Sequence, residues 1–343
     1  MADAVVQMVT KKRIAIIGAG SWGTALAQVL ADNGHEVFMY AKDPKVCKEI
    51  NDRHTNSTYF KDEFNLPKSI KASCLLQEVV LNQDVILLSV PSHAVRDMVK
   101  TIAPLITEKV CIINTAKGFD PLTNQRLSET IRSLLPKKFV KAVVSLIGPS
   151  HAEEVIDRQL TLVSAVCKKV EFAEMVSQLF SNEYFRVYVQ KDEIGSEVGS
   201  ALKNVIAIAS GVVTGLNLGD NARAALVTRG LAELMQLGKV LGGKLKTHAG
   251  LTGLGDLIVT CYSKHSRNYQ AGIKIGKDDA AQNFLETNQE TVEGVAFAKI
   301  AHQLAKKYRL KLPIIEAVYA VLYEKKRPSE LIKTLMNRPL RVE

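Results

Sequence analysis

The stretch Arg13–Asn33, RIAIIGAGSWGTALAQVLADN, decides the fold. Arg13–Ile17 reads as a buried strand, and from Trp22 the apolar residues recur at helical spacing. Between the two lies a GxGxxG turn formed by Gly18, Gly20 and Gly23. Gly18 suits the tight turn, Gly20 lets a pyrophosphate approach the backbone, and Gly23 lets helix and strand pack closely. The N–H groups that open the helix then face the phosphates.

Outward from this unit, strand-like runs continue at Glu36–Tyr40, Val85–Val90, Val110–Asn114 and Val143–Ile147, interleaved with helical patterns such as Val95–Ile102. The runs are too continuously apolar for one-sided strands, as expected when both faces of a sheet are covered. Strand–helix alternation of this spacing predicts an α/β fold with a Rossmann-type, doubly wound parallel sheet. Two further runs, Leu160–Val166 and Phe185–Val189, bracket a helical pattern at Phe172–Phe180 and extend the sheet. After Gln190 the character changes to helical periodicity, at Asp192–Leu216, Asn221–Leu241, Glu293–Tyr308 and Ile314–Lys325. The expectation is a dinucleotide-binding domain over residues 1–190 and an all-helical, substrate-binding and catalytic domain over 191–343.

An NAD-specific fold ends its second strand on an acid that holds the ribose 2′-hydroxyl. Here the chain reads Tyr40-Ala41-Lys42-Asp43, which places Lys42 at that end and Asp43 one step late. A lysine there pairs with a 2′-phosphate, so the expected cofactor is NAD or NADP.

The net charge of +10 favours anionic partners, yet the basic residues are scattered, with the tightest clusters at Lys11–Arg13 and Lys325–Arg327. A single tryptophan and few aromatics argue against a base-stacking surface. The expected partners are a small phosphorylated substrate and a second copy of the chain, with no nucleic acid and no integral membrane contact. Five cysteines, Cys47, Cys74, Cys111, Cys167 and Cys261, show no zinc spacing and fit reduced thiols. No metal site is expected, and the location expected from these features is cytoplasmic. The basic tail Lys325–Glu343 reads as a solvated end.

Six motifs stand in order: GSWGTALA at 20–27, AKG at 116–118, GPSHAEEV at 148–155, ALKN at 201–204, GDNARAALVTRG at 219–230 and GLGDLIVTCYSKHSRNY at 253–269. Together they resemble the bacterial NAD(P)-dependent glycerol-3-phosphate dehydrogenases, over roughly residues 13–325. That resemblance implies interconversion of dihydroxyacetone phosphate and sn-glycerol 3-phosphate by hydride transfer, feeding glycerophospholipid synthesis. It implies cofactor contacts from Ser21, Trp22, Lys117, Ala152, Arg267 and Glu293. It also implies substrate contacts from Lys117, Gly148, Ser150, Lys203, Asp256, Ser266, Arg267 and Asn268, with Lys203 as proton acceptor.

The residues carry this chemistry in their own right. Lys203 sits in a long apolar helix with Ser196, Gly199, Ser200, Ala207 and Ser210 on its stripe, which leaves room beside a lone cation. Oxidising a secondary alcohol needs a base on the hydroxyl, and desolvation lowers a lysine enough to serve. Asp256, after Gly250, Gly253 and Gly255, can orient Lys203 or bind a substrate hydroxyl, or simply cap a helix. Ser266-Arg267-Asn268 supplies three successive donors of the kind a phosphate takes. Lys117 and Gly148-Pro149-Ser150 follow strands, where ligands of open α/β sheets bind. Asp220 reads as a helix N-cap, and Arg229–Glu233 as an i,i+4 pair. A β-hydroxyacid or phosphogluconate dehydrogenase would place a lysine similarly, and the phosphate triplet with Asp256 favours the three-carbon phosphoester. A non-catalytic dinucleotide sensor would keep the glycine turn but would need none of Lys203, Asp256 and Lys117.

Overall fold

The computed structural model describes residues 10–60 and 64–339, so residues 340–343 of the basic tail lie outside the described residues. The chain forms two compact units. The first comprises the chain up to Ala116 with Leu127–Leu146 and Ser150–Lys191; the second comprises Lys117–Arg126, Ile147–Pro149 and the chain from Asp192 on.

The first unit is built on strands β1 (Arg13–Ile17), β2 (Glu36–Tyr40), β3 (Ile70–Ser73), β4 (Val85–Leu88), β5 (Val110–Asn114), β6 (Val140–Ile147), β7 (Thr161–Val166) and β8 (Phe185–Gln190). Its helices are α1 (Ser21–Asp32), α2 (Pro44–Arg53), α3 (Leu76–Val80), α4 (Val95–Ile102), α5 (Leu127–Leu134), α6 (Ala152–Ile156) and α7 (Val170–Phe180). The eight strands run in the order β3-β2-β1-β4-β5-β6-β7-β8. β1 pairs in parallel with both β2 and β4, which makes the β1/β4 junction the point where strand order reverses. Ile14 and Ile16 face a core layer shared with α1 and α7, while Ala15 and Ile17 face the opposite layer with α4 and α5. Burial on both faces is why the strands read as unbroken apolar runs.

β3 is a strand that the alternation did not announce. It is a short edge strand, Ile70-Lys71-Ala72-Ser73, with only Ile70 and Ala72 buried, and its pattern is too brief to stand out. β4 stops at Leu88, two residues earlier than its apolar run, because Ser89 and Val90 turn to meet Gly18.

The second unit holds α8 (Glu193–Gly215), α9 (Gly219–Val240), α10 (Leu245–His248), α11 (Asp256–Tyr262), α12 (Arg267–Asp278), α13 (Gln282–Thr287), α14 (Glu293–Lys307), α15 (Pro313–Tyr323) and α16 (Pro328–Met336). α8 is its axis, buried on every side, with Asp192 capping it through Gly195 N–H at 3.0 Å. α8 is long and apolar enough to cross a membrane by length and composition, but 94% of its apolar window is buried inside the protein. A Cβ on Gly211 would lie 2.1 Å from Tyr269 O, so the glycine lets α12 approach α8 backbone to backbone.

One local expectation changes here, and one residue shows a further task. Asp220 is not a cap: α9 begins at Gly219, and Asp220 pairs with Arg223 one turn on. The Glu233 carboxylate accepts from the N–H groups of Ile314 and Ile315 at 2.7 and 3.0 Å, so it closes the first turn of α15.

Candidate active site

The glycine turn has the geometry of a dinucleotide cradle. Gly18 has φ +115°, and a Cβ there would lie 2.5 Å from Ser89 O at the end of β4. A Cβ on Gly23 would sit 2.1 Å from Gly18 O, whereas a Cβ on Gly20 would meet nothing within 4 Å. Gly18 and Gly23 are therefore required by packing, and Gly20 opens onto free space at the switch point, where phosphates bind at a helix start. Ser21 and Trp22 form the first turn of α1. Asn56, fully buried, donates to Ala19 O at 3.0 Å and to Thr24 Oγ1 at 2.9 Å, and so holds the turn in shape. No motif points to Asn56, because it lies in an irregular stretch after α2.

Beyond β2, Asp43 caps α2 by accepting from Lys45 N–H at 2.8 Å. The nearby acid is thus engaged by its own helix, and Lys42 beside it is exposed. Ser150 and Ala152 stand at the start of α6 in this same unit.

The second unit gathers Lys117, Gly148, Lys203 and Asp256 around one carboxylate. Asp256 is fully buried and opens α11 after a π-helical turn, Leu251–Gly255, that aims its side chain at α8. Lys203 donates to Asp256 Oδ1, and to Thr260 Oγ1 at 2.8 Å. Lys117 donates to the same Oδ1 at 3.1 Å and to Gly148 O at 3.0 Å. Ser200 reaches Asp256 Oδ2 at 3.4 Å. The Asp256 side chain faces the lysines rather than capping its helix. Thr260 donates in turn to Asp256 O at 2.6 Å, which leaves its lone pairs to receive Lys203. The i,i+4 spacing of Asp256 and Thr260 was the available signal for this residue.

Lys117 is delivered by an excursion, Lys117–Arg126, that packs into the helical unit. Arg126 pairs with Glu197 of α8 at 3.0 Å, and Phe119 meets Phe297 edge to face. Gly118, at φ +149°, lies so close to Phe297 that a Cβ would fall 1.9 Å from the ring. These contacts fix the base of the lysine.

Burial pushes the Lys203 ammonium down, to about 8; Asp256 pulls it up, and the second cation, Lys117, pushes it down again. The Asp256 carboxylate thus receives two lysine side chains, the buried Lys203 and the partly exposed Lys117. Because Lys203 is half-titrated near pH 8, kcat/KM for alcohol oxidation is expected to rise with pH to a plateau above about 8. Carbonyl reduction needs the protonated amine and falls over the same range. Profiles of both directions check this, and a limb near lysine's ordinary value of 10.5 would refute it.

The triplet divides its work. Ser266 caps α12 by accepting from Tyr269 N–H at 3.2 Å. Asn268 donates to Asn204 Oδ1 at 3.0 Å and accepts from Gly294 N–H at 2.8 Å. Asn204, the residue after Lys203, reaches Glu293 Oε2 at 3.4 Å. Arg267 alone is exposed, at the first position of a twelve-residue helix.

A glycine cradle on a switch-point strand and a desolvated lysine with a lowered pKa define a nicotinamide-dependent alcohol dehydrogenase. Two family models cover most of the chain: the NAD-dependent glycerol-3-phosphate dehydrogenase N-terminus over residues 13–173 and C-terminus over 192–333. The chain belongs to the NAD-dependent glycerol-3-phosphate dehydrogenase family. It is 48% identical over 326 residues to a glycerol-3-phosphate dehydrogenase (NAD(P)+) of Bacillus cereus, covering 95% of this chain and 96% of that protein. A relative of the same name from Exiguobacterium is 46% identical over 330 residues, covering 96% of each. The crystal structure of glycerol-3-phosphate dehydrogenase from Coxiella burnetii superposes with a TM-score of 0.88 at 35% identity, covering 96% of this chain and 99% of that one.

Proposed function

We propose that this enzyme interconverts dihydroxyacetone phosphate and sn-glycerol 3-phosphate, with Lys203 moving the proton at the substrate's C2 oxygen. The observation that carries the reading is the Lys203–Asp256 pair, buried and joined by the partly exposed Lys117, in which Lys203 is brought down to about 8. The nicotinamide, when bound, supplies or accepts the hydride. In reduction, the Lys203 ammonium directs two of its three N–H groups at Asp256 and Thr260 and keeps one for the carbonyl oxygen. As charge builds on that oxygen, the amine passes its proton across; in oxidation the neutral amine takes it back. Lys117 adds a second positive charge, which favours the developing alkoxide.

Residues 1–190 would hold the cofactor, through Gly18, Gly20, Ser21, Trp22 and Gly23 with Ala152, and residues 191–343 the substrate. Lys117, Arg267 and Glu293 are assigned to the cofactor as well, and Gly148, Ser150, Ser266 and Asn268 to the substrate. Arg267, exposed at a helix start, suits the phosphate as a fork with the helix dipole behind it. Its replacement by alanine is expected to raise the KM for dihydroxyacetone phosphate about tenfold or more, the loss of a charge-assisted bond of ~1.5–3 kcal/mol, with smaller change in kcat. An unaltered KM would remove Arg267 from phosphate recognition.

The direct test is NADH and NADPH oxidation by the purified protein when dihydroxyacetone phosphate is added. Both cofactors are expected to serve, because no acid is free at the end of β2 to reject a 2′-phosphate. Lys42→Asp is expected to move the NADPH/NADH ratio of kcat/KM toward NADH; an unmoved ratio would show that another position selects. A cytoplasmic location, a homodimer and supply of product to glycerophospholipid synthesis complete the proposal; five unbridged cysteines support the first.

A further inference from the structure

Helix α2 and strand β3 are locked together by a side chain. Asn51 Nδ2 donates to Ala72 O at 2.9 Å, and Asn51 Oδ1 accepts from Ala72 N–H at 2.9 Å. Cys47 lies one helical turn before Asn51 and Cys74 two residues after Ala72, so the clamp brings the two sulfurs to one place. Cys74 is the residue whose neighbourhood acts most on the Cys47 thiol after burial itself. Asn51 Nδ2 also approaches Cys47 Sγ at 3.8 Å. Both cysteines are partly exposed, whereas Cys111, Cys167 and Cys261 are buried. The pair sits beside the loop that leaves β2: Ala41 N–H donates to Ser73 O at 3.1 Å, and Asp43 caps the helix that carries Cys47.

We propose that Cys47 and Cys74 are a dithiol modification site that a peroxide closes to a disulfide, and that closure weakens dinucleotide binding at the end of β2. The second half rests on the cofactor reading of the Gly18–Gly23 turn and the Lys42 loop. One thiolate attacks the peroxide O–O bond and becomes a sulfenic acid, releasing hydroxide that leaves as water. The second sulfur then displaces the sulfenic oxygen, also as water. Two thiols lose two protons and two electrons, and one hydrogen peroxide becomes two waters. Burial and the neighbouring Cys74 push the Cys47 thiol up to about 11, so Cys47 is slow to form a thiolate. A disulfide needs the sulfurs at about 2.05 Å, closer than two free thiols stand. Bonding therefore draws the first turn of α2 onto the end of β3 and moves Lys42 and Asp43 with it.

The experiment treats the full-length protein with hydrogen peroxide, maps its peptides, and measures NADH and NADPH affinity before treatment, after it and after dithiothreitol. The expected result is a linked peptide joining Cys47 and Cys74, lighter by two hydrogens. A severalfold rise in both cofactor Kd values should accompany it, and dithiothreitol should reverse it. Cys47→Ser and Cys74→Ser should each keep their untreated affinity after peroxide. Absence of the linked peptide would overturn the dithiol site alone. A linked peptide with unchanged Kd would overturn its effect on cofactor, and reduced protein that binds neither cofactor would overturn the cofactor reading with it.

Discussion

Replacing Lys203 with methionine is expected to lower kcat in both directions by about 10^2–10^4, the usual contribution of a general acid–base group. Methionine fills much of the lysine's volume in α8, a helix buried along nearly its whole length, so the packing around it survives. Asp256 is not orphaned by the change, because Lys117 still donates to its Oδ1 at 3.1 Å. The usual penalty for stranding a buried charge is therefore avoided. The glycine turn belongs to the first unit, and NADH affinity should stay near that of the parent. Steady-state kinetics with NADH titration checks both statements. A methionine variant that turned over at the parental rate would remove Lys203 from proton transfer.

The opposite replacement, Asp256→Asn, is expected to do more damage to the fold. It leaves the buried Lys203 ammonium and its neighbour Lys117 facing each other without a counter-charge. Breaking a buried ion pair by removing one partner costs about 3–5 kcal/mol, so Tm should fall well below that of Lys203→Met. The sign of the pKa change follows from the causes. Burial and Lys117 push Lys203 down while Asp256 pulls it up, so loss of the carboxylate lowers the lysine further. The pH limb of alcohol oxidation should move to lower pH, with kcat reduced because the amine is no longer oriented. Thermal melts and a pH profile test this together; an unmoved limb at parental Tm would mean that Asp256 does not hold Lys203.

The sheet was legible because two-sided burial prints itself on a sequence. Ile14 and Ile16 face one layer and Ala15 and Ile17 the other, so every position of β1 after Arg13 had to be apolar. β3 escaped because an edge strand needs only Ile70 and Ala72 inside. Asp220 reads locally as a cap but pairs with Arg223, and Glu233 binds the amides of α15, a task that no local rule shows. The lysine, the aspartate and the Ser266-Arg267-Asn268 triplet were all visible as motifs. Their division of labour was not: Ser266 and Asn268 brace helices in this structure while Arg267 stands exposed.

The order of residues alone determined the glycine turn, the alternating strands and helices, and the family, since each depends on neighbours along the chain. It also determined that a lone lysine lies in an apolar helix. Only tertiary structure decided what that lysine is. Lys117, Lys203 and Asp256 come from three distant parts of the chain, and burial of Lys203 beside the other two brings it down to about 8. Burial and charge-pair energies depend on distance through space, which separation along the chain does not encode.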